Sequence, residues 1–110
     1  MSISTTDEFE QWCGQLHDLD QGRIIGRIKA FDCLRTAIFE PHGRVEASSR
    51  HASLMYSISP QRGPNAFEVF CILGTSDTHV IHGYDANVFF SHATQLNTAD
   101  DLVDQYGPFH

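Results

Sequence analysis

The 110-residue chain predicts a single α+β domain over 1–110: an antiparallel sheet of four to six strands with an N-terminal helical segment packed on one face and a short C-terminal helix. Three patterns carry that expectation. Phe9, Trp12, Cys13, Leu16 and Leu19 recur at helical spacing. Ala52, Leu54, Tyr56 and Ile58 alternate with His51, Ser53, Met55, Ser57 and Ser59, as in a strand with one buried face. Ala66 to Leu73 is apolar except for Glu68, as a central strand covered on both sides should be.

The first helix is placed at Thr5 to Leu19. Thr5 and Glu8 have capping-box spacing, and Asp7, Glu8 and Glu10 sit where the helix dipole favours acids. Gly22 is its expected end. From Arg23 to Phe39 the apolar residues Ile24, Ile25, Ile28, Phe31, Leu34, Ile38 and Phe39 fall within one half of a helix, while a strand would split them four to three between faces. A second helix over 22–34 is expected, with strand as the alternative. Arg35 to Ser48 reads as a hairpin turning at Glu40-Pro41-His42-Gly43. The segment 59–65, with Pro60, Gly63 and Pro64, is a loop, and Gly74-Thr75-Ser76-Asp77 is a turn. Thr78 to His82 and Asn87 to Ser91 read as two strands around Gly83-Tyr84-Asp85. Thr98 with Asp101 opens a helix that runs to Tyr106 and stops at Gly107-Pro108.

Charge is segregated along the chain. All seven Lys and Arg lie between Arg23 and Arg62. The first 22 residues carry −5, the middle block +4 and the last 48 residues −6, for a net charge of −7. Acidic ends repel nucleic acid and anionic membrane and attract basic surfaces. Direct nucleic-acid binding is therefore not expected. The longest apolar run, Val69 to Leu73, is far short of the ~20 residues that span a bilayer. Met1-Ser2-Ile3-Ser4 has neither a basic stretch nor an apolar core, so no signal peptide and a cytoplasmic location are expected.

Motifs for chemistry are scarce. Cys13, Cys33 and Cys71 lack CxxC spacing, and Cys13 and Cys71 sit among apolar residues as small buried hydrophobes would. Of seven histidines only His79 and His82 are close in sequence. In a strand, positions three apart point to opposite faces, so this pair does not chelate one ion. Asp77 and His79 share a face without a third ligand, and no metal or other cofactor is expected. The remaining histidines fall on polar faces, turns or the terminus. There is no Gly-x-Ser-x-Gly elbow, P-loop or dinucleotide fingerprint. No catalytic residue is assigned.

The leading functional expectation is a small acidic interaction module that blocks or chaperones a basic partner protein, in the manner of an inhibitor. Its contact residues are expected in the C-terminal segment: Asp100, Asp101 and Asp104 as steering charges and Tyr106 as an aromatic anchor. A second expectation is a small-molecule-binding domain or enzyme. Its pocket would lie between helix and curved sheet, lined by Trp12, Phe31, Tyr56 and a histidine, with Glu68 or Asp32 at its base. A third is a subunit that forms homo-oligomers through a sheet edge.

Overall fold

A computed structural model describes residues 2–34, 44–46, 55–58, 66–74, 77–87 and 92–106. Eight elements follow in order: β1 (Ser2–Thr5), α1 (Asp7–Gly14), α2 (Asp18–Leu34), β2 (Arg44–Glu46), β3 (Met55–Ile58), β4 (Phe67–Leu73), β5 (Asp77–Asp85) and α3 (His92–Tyr106). The strands form one sheet in the order β1-β5-β4-β3-β2. β4 lies at its centre, where its apolar composition places it. The architecture is α+β, as the sequence predicts.

The sheet is mixed rather than antiparallel. β2, β3, β4 and β5 pair antiparallel, but β1 runs parallel to β5 with Ser2 opposite Asp77 and Thr5 opposite Val80. Ser2-Ile3-Ser4-Thr5 holds one apolar residue, too few for a period, and its partner strand lies some 75 positions away. Nothing local marks it as a strand.

The chain enters α1 one residue later than the capping box predicts. Thr6 is the N-cap: its backbone is extended, and its Oγ1 accepts the Phe9 N–H at 3.1 Å. Thr5 stays in β1, and its hydroxyl donates to Glu10 at 2.8 Å. The helix does not run on to Leu19. It stops at Gly14, and Gln15 and Leu16 close the turn onto the carbonyls of Trp12 and Cys13. α2 then starts afresh, with His17 Nδ1 accepting the Leu19 N–H at 3.2 Å and Asp18 and Asp20 in the first turn. The break carries Leu19 off the apolar stripe, and it is 64% exposed. Gly22 lies inside α2 instead of ending a helix.

Both faces of the sheet are covered. On one, Phe9 and Cys13 of α1 and Ile24, Ile28 and Phe31 of α2 pack on Tyr56, Ile58, Val69, Cys71 and Val80. On the other, Leu96, Ala99, Leu102 and Val103 of α3 pack on Met55, Phe70, Ile72 and Ile81. Alternation along β3 and β4 divides neighbours such as Met55 and Tyr56, or Phe70 and Cys71, between the two cores. The rings expected around a pocket fill the first core instead: Phe31 meets Tyr56 at 5.5 Å, and Trp12 meets Phe9 at 5.9 Å and Phe67 at 5.8 Å. Asp32 is buried in α2, where the Thr78 hydroxyl donates to its carboxylate at 2.6 Å. Cys13 and Cys71 are buried and Cys33 is exposed, all as free thiols. Burial pushes both buried thiols above the ordinary range.

α3 begins at His92, six residues before the expected Thr98. Within the helix the Thr98 hydroxyl turns back to the Thr94 carbonyl at 3.1 Å rather than capping an end. Thr78 to His82 lies within the longer β5. The expected turn at Gly83-Tyr84-Asp85 is part of that strand, and Asn87 stands in the turn after it. The expected hairpin turn at 40–43, the loop at 59–65, positions 88–91 and the stop at Gly107-Pro108 lie outside the described residues.

Candidate functional site

A β-bulge organises one candidate region. Phe70 pairs with His82 and Cys71 with Val80, so Ile81 is an extra residue on β5. Both Ile81 and His82 therefore face α3. His79, opposite Ile72, also faces α3, so the bulge puts His79 and His82 on the same side of the sheet. This corrects the opposite-face expectation, which holds only for a strand without a bulge. Among the described residues no group of three His, Cys, Asp or Glu is placed to hold a metal ion.

His82 stacks on Phe70 with centroids 6.3 Å apart and on Tyr84 at 6.4 Å, and its Nε2 lies 2.7 Å from Gln95 Oε1 of α3. The Tyr84 hydroxyl donates to Glu68, its cross-strand neighbour. Burial among these rings holds the His82 imidazole below its ordinary range, with Gln95 and the Glu8 carboxylate pulling the other way. A histidine depressed in this way binds a proton more tightly when unfolded, so stability is complete above about pH 6.5 and is lost as pH falls. Urea unfolding at about pH 7.5 and about pH 5.5 is expected to show a smaller loss in His82→Gln than in wild type. Equal losses would assign the pH dependence to other groups.

The bulge also seats the start of α1. Thr6 donates its N–H to the Val80 carbonyl at 3.1 Å and its hydroxyl to the Ile81 carbonyl at 2.6 Å. That anchor carries Asp7 and Glu8 to the edge of β5 beyond the end of β1. There the last turn of α3 meets them: the Tyr106 hydroxyl lies 2.9 and 3.2 Å from the two oxygens of Glu8, 98 positions away. The Glu8 carboxylate raises the Tyr106 phenol above its ordinary range. The two acidic ends of the chain thus meet at one junction.

Of the contact residues expected in the C-terminal segment, Asp101, Asp104 and Tyr106 are exposed. Asp100 is fully buried, next to Ala99 on the inward side of α3. A run of two acids at a helix surface does not say which one faces inward. Sequence reasoning places Glu8 only among the acids of the first helix, because the α1–α3 contact with Tyr106 leaves no mark on local spacing.

The second candidate lies on the opposite side of the sheet, beside β1. Alternate residues Ile3 and Thr5, the α1 face Phe9, Glu10, Cys13 and Gly14, and the α2 face Gln21, Ile25, Ile28 and Lys29 enclose an open groove of about 420 Å³. Its floor is apolar. The volume lies within the ~300–1,000 Å³ typical of ligand sites.

Fold and site define a small α/β/α-layered domain with a mixed five-stranded sheet, an acidic junction on one side and an apolar groove on the other. No family model, curated protein or solved structure matches the chain. No helix among the described residues is long and apolar enough to cross a membrane.

Proposed function

We propose that this domain is an interaction module whose acidic junction binds a basic surface of a partner protein and blocks or shelters it. The observation that carries this reading is the contact between Tyr106 and Glu8. It joins two segments whose charges would otherwise act apart: Asp7 on α1, and Asp101 and Asp104 on α3, all exposed. Converging charge of one sign steers an oppositely charged partner and raises its association rate more than its affinity. Tyr106, 37% exposed, supplies an aromatic anchor within the acidic surround.

The test begins with affinity capture of the tagged protein from its own cells. Association of the captured partner is then followed as ionic strength rises and the Debye length shrinks from ~30 Å to ~8 Å. The on-rate is expected to fall steeply. At low salt, the combined change Asp7→Asn, Asp101→Asn and Asp104→Asn should slow association while leaving dissociation nearly unchanged. Asp100 stays intact because it is buried. Association of the triple variant at the wild-type rate would overturn the proposal, as would a captured partner with no basic surface. A second reading, a small-molecule-binding domain, is favoured by the groove beside β1.

A further inference from the structure

The polar groups around the groove divide into those already engaged and one that is not. The Thr5 hydroxyl donates to the Glu10 carboxylate at 2.8 Å. The Gln21 amide donates to the Leu16 carbonyl at 2.8 Å, across the break between α1 and α2. Lys29, exposed at the groove, has no ion pair among the described residues. Nearby on the floor, Ile3 and Ile25 are 36% and 42% exposed and line the same space.

We infer that the groove binds a small anionic amphiphile, a carboxylate with an unbranched or single-ring apolar tail, whose head meets Lys29 and whose tail covers Ile3, Ile25 and Ile28. This rests on the small-molecule reading and adds the ligand's chemical class. An apolar tail removes Ile3 and Ile25 from water, which is the larger part of the driving force. The head group forms a charge-assisted hydrogen bond with the ammonium. A cationic head would meet Lys29 itself. The Glu10 carboxylate keeps its charge while it accepts from Thr5 of β1, which leaves the α2 wall, where Lys29 stands, as the place for an anionic head. An uncharged tail would bind the floor but leave Lys29 without a partner.

Octanoate and 1-octanol serve as matched probes at about pH 7.5, followed through backbone amide shifts of the full chain. Octanoate is expected to shift the amides of Ile3, Gly14, Ile25 and Lys29 in a saturable way. Lys29→Gln should weaken octanoate about threefold, the range of an exposed ion pair, and leave octanol unchanged. Gly14→Leu should abolish binding of both. A Cβ at Gly14 meets nothing within 4 Å, and Gly14 lines the groove, so a larger side chain has room there without strain at its Cβ. Retained amide dispersion in that variant checks that it is folded. Equal octanoate affinity in wild type and Lys29→Gln, with octanol still saturating the same amides, would overturn the anionic head while the pocket reading stands. No saturable shift with either probe would overturn both. Undiminished octanoate binding in Gly14→Leu would overturn the location.

Discussion

Trp12→Ala is expected to lower the free energy of unfolding by about 3–5 kcal/mol, the range for removing a large aromatic from a packed site. The indole lies between Phe9 and Phe67 and lies flat enough on β5 that only glycine fits beneath it. A Cβ built at Gly83 would stand 2.6 Å from Trp12 Cε3 and 2.9 Å from Cη2, and closer still to Cζ3. To make room, the indole or the strand beneath it would have to shift. Gly83→Ala should therefore cost about 1–3 kcal/mol in wild type, as overpacking does. In the Trp12→Ala background the same change should cost much less, because the space is then open. Denaturant unfolding of the four proteins in this cycle measures the coupling. A loss below about 1 kcal/mol for Trp12→Ala would place the indole on the surface and make its stripe a contact face. Additive losses would remove the proposed fit between ring and glycine.

Thr6→Val should cost about 2–4 kcal/mol although it preserves volume. One hydroxyl serves two elements: it accepts the Phe9 N–H as helix cap and donates to the Ile81 carbonyl at the bulge. Loss of a cap costs about 0.5–2 kcal/mol. A buried carbonyl left without its donor adds about 1–3 kcal/mol. Thr6 is 3% exposed, so water does not replace either bond without rearrangement. Thr6→Ser keeps the hydroxyl and should recover most of the loss. Amide exchange at Phe9 gives a local readout, faster in Thr6→Val and near wild type in Thr6→Ser. A neutral Thr6→Val would mean that α1 is held by its apolar face alone, and the acidic junction would then not depend on the bulge.

How much of this was legible differs from element to element. α2 is legible only as the better of two readings: Ile24, Ile28 and Phe31 keep helical spacing, but Arg27 and Asp32 intrude on the apolar half and leave a strand open until the packing is seen. β4 was readable because a strand buried on both sides has no polar alternation to confuse it. The sequence puts the cap one residue early because Thr5 and Thr6 are chemically equivalent. Which of them begins the helix depends on where β1 lets go of β5. Asp101 and Asp104 read as exposed acids, but the sequence does not separate Asp100 from them, since burial on a helix depends on how it rolls onto the sheet.

The sequence by itself determined the class of fold, the central place of Phe67–Leu73 and the segregation of charge to the two ends. These follow from local periodicity and composition, which each segment carries with it. Only the tertiary structure decided that β1 runs parallel to β5, that a bulge at Ile81 turns His82 toward α3, and that Glu8 and Tyr106 meet. The groove was likewise invisible, because Ile3, Cys13 and Ile25 come from three elements that no local pattern relates. Each of these is a contact between segments far apart in the chain. Its free energy depends on packing and register across the whole sheet, and those are properties that no window of residues contains.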